Sequence, residues 1–159
     1  MNNGIRIKQP VLTKEGLNNL KKELKLLEEK RKPQLVKRVT IAREHGDLSE
    51  NSEYTSAREA LSFTEGRIEQ LQSILGRAKV ISANNKKATR VRPGCKVTVC
   101  VNKEKHIFTL VGEWEADPMN KKISNNSPLG KALIGRKVGD KVEVEAPAGK
   151  MTYQIKRIS

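Results

Sequence analysis

The sequence predicts an α+β chain in two parts: an N-terminal antiparallel α-helical coiled-coil hairpin over residues 1–84, then a small antiparallel β-sheet domain with one short helix over residues 85–159. Three observations predict it. Apolar or small residues recur at alternating steps of three and four at Tyr54, Ala57, Leu61, Thr64, Ile68, Leu71, Leu75 and Ala78, which is a heptad seam. Near residue 80 the heptads give way to the polar linker Asn84-Asn85-Lys86-Lys87-Ala88-Thr89. Beyond it, short β-branched runs alternate with turn residues, the pattern of a small sheet.

The first arm opens on Leu17, Leu20, Leu24 and Leu27, and its stripe then drifts through Arg31 to Leu35, Val39 and Ala42 in steps of four. Pro33 falls beside the drift. It lacks an N–H and disfavours helix at Lys32, so a kink or short break is expected and the first arm reads as two segments. With arms of roughly 30 residues at about 1.5 Å each, the hairpin projects on the order of 45 Å. Its turn is Gly46-Asp47-Leu48-Ser49-Glu50-Asn51-Ser52-Glu53-Tyr54.

In the second part, Val97–Val101 and Ile107–Val111 flank Asn102-Lys103-Glu104-Lys105 as a hairpin. Ser127 reads as an N-cap with Pro128 at the first helical position, and Gly135 ends that short helix. Val142–Glu145 and Met151–Ile155 supply two more strands around Ala146-Pro147-Ala148-Gly149. Trp114 reads as core ahead of contact. With few aromatics this half lacks a base-stacking platform, and it shows no phosphate loop or nucleophile elbow, so it reads as a docking module.

The formal charge of +14 divides into 16 Lys/Arg against 11 Asp/Glu before residue 85 and 16 against 7 from there on. Both parts favour polyanions, with nucleic acid ahead of anionic membrane. Cys95 and Cys100 have opposite strand parity and form no Cys-x-x-Cys pair, and His45 and His106 lack zinc-site spacing, so two reduced thiols and no zinc are expected. With no apolar run near 18 residues and no signal peptide, the expected location is cytoplasmic, without a membrane partner.

Asp47 and Glu50, three apart at the turn, admit two readings. As N-cap and N3 they form a capping box at the start of the second arm. As exposed carboxylates they are half of a Mg²⁺ site, because Mg²⁺ commonly takes one or two protein carboxylates and leaves its other positions to water and phosphate. Arg43 and Arg58 flank the turn as contacts to RNA phosphate, or as solvated charges bridging Glu44 or Glu59. Tyr54 opens the seam and is expected to pack there.

Arg43-Glu44-His45-Gly46-Asp47-Leu48-Ser49-Glu50-Asn51-Ser52-Glu53-Tyr54 closely resembles the tip signature of the bacterial Gre-type transcript cleavage factors, the GreA branch most of all. Glu115-Ala116-Asp117-Pro118, Ile123-Ser124 and the run from Ser127-Pro128 to Lys141-Val142 resemble the carboxy-terminal signature of that family. Thr55, where His is frequent, and Lys121, where Gly is common, depart from it.

The resemblance implies an FKBP-like second domain and a bacterial RNA polymerase partner whose secondary channel the coiled coil enters. It implies that Asp47 and Glu50 help to hold a shared Mg²⁺ and its water while polymerase hydrolyses the 3′ end of backtracked nascent RNA. It further implies that Arg43 and Arg58 lie near that RNA, that Gly46, Asn51 and Tyr54 position the tip, and that Asn126, Ser127 and Pro128 hold polymerase. The chain itself would be no enzyme, and a monomer, with DNA a further partner for its basic surface. Three alternatives stay open: a non-cleaving channel binder, a prolyl isomerase or chaperone carried by the sheet domain, and a generic basic coiled coil.

Overall fold

The computed structural model describes residues 9–44, 51–81, 88–146 and 149–159. Contacts gather the chain into two compact units, one of Leu17–Arg77 and the other of the described parts of Met1–Gly16 and Ala78–Ser159.

The helical unit is a hairpin. Its first arm runs through α1 (Lys14–Leu26), a π-helical turn (Leu27–Arg31) and α2 (Lys32–Glu44), and its second is α3 (Ser52–Arg77). Where a kink or short break is expected beside Pro33, the arm changes pitch through the π-helical turn that separates its two α-helical segments, without leaving the helix. The Lys32 N–H donates to the Leu27 carbonyl five residues back, and Lys32 keeps helical angles (φ −59°, ψ −50°). A widened turn just ahead of a residue that cannot donate relieves the crowding its ring imposes on the preceding turn.

The seam matches the stripe read from the sequence. Leu20, Leu35 and Ala42 from the first arm and Ala57, Thr64, Ile68 and Leu71 from the second are buried, with Arg31 exposed; the base of α3 adds Ile74 beside half-buried Leu75. Polar contacts line its margins. Arg67 donates Nε to Glu23 Oε1 at 2.8 Å and Nη2 to Oε2 at 3.1 Å, Lys32 Nζ lies 2.9 Å from Glu65 Oε1, and Gln72 Nε2 donates to Glu28 Oε1 at 2.7 Å.

The second unit holds a five-stranded sheet in the order β5-β4-β3-β7-β6, built from β3 (Lys96–Val101), β4 (Glu104–Val111), β5 (Lys122–Ser124), β6 (Lys141–Ala146) and β7 (Gly149–Ile158). The β3–β4 turn is Asn102-Lys103, both at positive φ (50° and 68°), as a two-residue hairpin requires. The sheet is mixed rather than purely antiparallel, because β5 pairs parallel to β4. Between them the chain crosses over through 3-10 turns at Glu113–Glu115 and Pro118–Asn120, as a parallel pair demands. One face packs Val97, Val99, Leu110, Val142 and Ile155 onto Leu133 of α4 (Pro128–Leu133). Trp114 lies outside this core, 39% exposed, contrary to the sequence reading. Neither Cys95, which is buried, nor half-buried Cys100 takes part in a disulfide.

Besides β5, two further short strands escaped the sequence reading. β1 (Val11–Thr13) pairs parallel with β2 (Lys79–Ile81), so residues 9–16 and 78–81 group with the later residues and the contact division falls away from residue 84. Thr13 then caps α1: its Oγ1 accepts the Gly16 N–H at 3.0 Å, while its own N–H donates to Glu115 Oε1 at 2.6 Å and its hydroxyl to Oε2 at 2.5 Å. Gly112 makes room for this strand. Its φ of −64° suits any residue, but a Cβ there would stand 1.8 Å from the Val11 carbonyl oxygen.

Because backbone cannot give way as a side chain can, Gly112→Ala is expected to destabilise the chain by about 1–3 kcal/mol, the range of an overpacked interior; urea denaturation measures it, and an unchanged midpoint would mean that β1 yields freely. A second test concerns Lys122 Nζ, 2.8 Å from Glu15 Oε1. The hydrogen bond from Lys122 and then its charge hold the Glu15 carboxyl below its ordinary value, and the bond to Glu15 raises the ammonium. A lowered carboxyl stabilises above its unfolded pKa and loses that contribution as pH falls through the folded one; the raised ammonium does the reverse at the alkaline end. Glu15 is 71% exposed at its side chain, so the pair is worth under about 1 kcal/mol. Lys122→Gln should therefore lower Tm slightly at neutral pH, and thermal melts should show the deficit shrinking below the carboxylate range.

Candidate functional site at the hairpin end

The arms end at Glu44 and Ser52, and one side chain joins those ends. Asn51 Oδ1 accepts the Tyr54 N–H at 3.0 Å, and its Nδ2 donates to the Ala42 carbonyl at 2.9 Å. The first bond satisfies an orphan donor at the start of α3, and the second an orphan acceptor at the end of α2. Asn is suited to both because its amide carries an acceptor and a donor at once. The Asn51 carbonyl also takes the Thr55 N–H at 3.1 Å and the Thr55 hydroxyl at 3.3 Å.

The cap of α3 is thus Asn51, whereas one of the two sequence readings of the turn acids placed Asp47 in that role. Asp47 and Glu50, with Gly46, lie outside the described residues. Tyr54 is half-buried at the head of the seam, as expected. Arg43 in the last turn of α2 and Arg58 in α3 are both exposed, and among the described residues neither bridges Glu44 or Glu59.

Reading the sequence missed a second link across the arms. Arg38 donates Nε to Glu53 Oε1 at 2.5 Å and Nη2 to Oε2 at 3.0 Å, a two-pronged pair that lowers the Glu53 carboxyl and raises the guanidinium. No local spacing announces it, since the two residues are 15 apart and meet only when the hairpin closes. It has a chemical consequence: both oxygens of Glu53 are engaged by the guanidinium, so this acid of the turn sequence is already committed. Among the described residues no cluster of His, Cys, Asp or Glu could hold a metal ion.

In the sheet unit Ser127 Oγ caps α4, accepting the Gly130 N–H at 3.0 Å and donating to the Ser124 carbonyl at 2.7 Å. Pro128 takes the first helical position and is exposed. Asn126 is exposed too, its Nδ2 donating to Glu113 Oε2 at 2.9 Å. Of these three, Asn126 lines a cavity of about 160 Å³, together with Pro10, Glu113, Trp114 and Asn125 among others.

A helical hairpin with a bridged end, followed by a mixed sheet with one short helix, defines a two-part chain whose first part carries acids at its turn. The family model described as "Transcription elongation factor, N-terminal" matches residues 10–80, and "Transcription elongation factor, GreA/GreB, C-term" matches residues 85–159. The chain belongs to the GreA/GreB family of transcription elongation factors. It is 47% identical to transcription elongation factor GreA of Thermoanaerobacter pseudethanolicus, over 95% of this chain and 98% of that protein. To GreA of Thermodesulfovibrio yellowstonii it is 48% identical, over 93% and 95% respectively. Among solved structures it aligns with GreA factor homolog 1 (Gfh1) of Thermus thermophilus at 28% identity, covering 96% of this chain and 99% of that one, with a TM-score of 0.45.

The bridge makes a discriminating prediction. Asp equals Asn as an N-cap, so Asn51→Asp keeps the Tyr54 bond; it deprives the Ala42 carbonyl of its donor and sets a carboxylate against it. The variant is expected to lose about 1–2 kcal/mol in urea denaturation. A midpoint equal to that of the parent chain would deny Nδ2 any role.

Proposed function

We propose that this chain stimulates transcript cleavage by bacterial RNA polymerase. The observation that carries the reading is the Asn51 bridge, which ties the last turn of α2 to the first turn of α3 and so fixes the two flanks of the segment bearing Asp47 and Glu50. On this reading the hairpin enters the secondary channel, and Asn126, Ser127 and Pro128 help the globular unit hold the rim.

Two carboxylates are hard oxygen donors and leave most of an octahedral shell to water and phosphate, so this donor set fits a Mg²⁺ shared with polymerase. Asp47 and Glu50 would hold it from this side. When bound, such an ion lowers the pKa of its water and offsets charge on the phosphodiester. The chain's own residues divide the remaining work. Arg43 and Arg58 neutralise phosphates of the backtracked RNA 3′ segment, and Asn51, Gly46 and Tyr54 set the tip. Arg38 keeps Glu53 from competing as a ligand. Hydrolysis belongs to polymerase, so the chain acts as a cytoplasmic monomer that supplies acids and is no enzyme alone; no described helix is long and apolar enough to cross a membrane.

On a stalled, backtracked polymerase complex the parent chain should shorten the RNA rapidly. Asp47→Ala and Glu50→Ala should each slow cleavage by at least about 10-fold, the lesser loss when a metal-site group is removed, while binding to polymerase persists. Undiminished cleavage by both variants would remove the mechanism.

A further inference from the structure

The five-stranded sheet has a second face, opposite its core, and strand register identifies the residues on it. Val97, Val99 and Val101 of β3 point inward and are buried, so Lys96, Thr98 and Cys100 point outward. Across the ladder, Lys105 lies opposite Cys100, Gln154 opposite Cys100 on the other side, and Lys141 opposite Gln154. One row across four strands therefore reads Lys105, Cys100, Gln154, Lys141.

The next row carries an irregularity with a purpose. Register slips between Thr98 and Val99: Val99 pairs with Ile155 but Thr98 pairs with Arg157, so Lys156 is an extra residue in β7. Ile155 is buried, Lys156 and Arg157 are both exposed, and Ile158 is half-buried opposite core residue Val97. Regular alternation would have sent one of two successive cations to the core face. The bulge turns both to the outer face beside Thr98.

The outer face thus carries Lys96, Lys105, Lys141, Lys150, Lys156 and Arg157 against three carboxylates, Glu143 and Glu145 of its edge strand and Glu15, whose charge reaches Lys96. Among the described residues none of these six cations forms an ion pair. The remaining positions are small or polar, apart from Ile107 and Val111, the latter buried at the end of β4 beside β1, and no aromatic ring stands among them.

We infer that this outer face is a sequence-independent binding surface for the phosphate backbone of duplex DNA. Unpaired cations without aromatic platforms suit a duplex, whose bases are stacked inside, and do not suit a single strand, whose unstacked bases seek rings. At about 4.8 Å between strands, the row from Lys105 to Lys141 spans about 14 Å, within which a duplex presents several phosphates.

The test is the salt dependence of full-chain binding to a short duplex, read by fluorescence anisotropy. With about four phosphate contacts, affinity should fall about 150-fold between 50 and 200 mM salt; in the Lys156→Ala, Arg157→Ala double variant, with about two left, it should fall only about 12-fold. Circular dichroism and melts confirm folding, and Lys105→Ala, in a regular part of the sheet, provides an independent decrease in slope. Glu143→Gln should tighten binding. A slope unchanged by both the double variant and Lys105→Ala overturns the inference, as does tighter binding to a single strand of equal length or to phosphatidylserine vesicles than to the duplex.

Discussion

A hairpin of two helices can bury only the stripe along which its arms meet, and everything at its end depends on how that narrow seam is kept in register. The buried residues of the seam are small or aliphatic, and apolar contacts of that kind resist sliding weakly. The directional contacts are polar and cross from arm to arm: Arg67 to Glu23, Lys32 to Glu65, Arg38 to Glu53, and the Asn51 amide to the Ala42 carbonyl. Exposed ion pairs add little to stability, so their weight here lies in geometry. A shift of one helical residue would break the two-pronged pairs, whose forks admit a single alignment.

The same logic of local exclusion shapes the sheet unit. Glu115 gathers both donors of Thr13, and a Cβ on Gly16 would collide with that carboxylate. Gly112 and Gly130 are likewise closed to a side chain by carbonyls, of Val11 and of Ser124. These contacts explain why residues 9–16 group with residues far along the chain. Glu115, which a sequence reader assigns to a family signature without a task, has a structural one.

What the sequence made legible follows from the range over which each signal acts. The seam, the β3–β4 hairpin, the Ser127 cap and the stop at Gly135 are written within a few residues of where they act, and each was readable. β1, β2 and β5 were not, because a three-residue strand carries no period and its partner lies far along the chain. Trp114 was misplaced for a related reason: an aromatic in a poorly aromatic chain suggests core, but the crossover after β4 leaves it at the rim of a small cavity. Pro33 was legible as a disturbance that splits the arm into two segments, but the wider helical turn that absorbs it was not. At the tip, the acids were visible as chemistry, whereas their support was hidden. Asn51 stood in the motif without a mechanism, and Arg38 stood outside it.

Arg38 sharpens what the turn sequence can do. Four acids, Glu44, Asp47, Glu50 and Glu53, fall within ten residues, and from composition alone any two could serve a cation. A carboxylate whose two oxygens both face a guanidinium has few lone pairs left, and its partner's charge repels an incoming metal ion. Glu53 is therefore the acid least able to become a ligand, although it sits in the first turn of α3. The pair serves two ends: it links the arms near their last turns, as one of the four contacts that hold register, and it withdraws Glu53 from the acids of the turn sequence that could serve a cation.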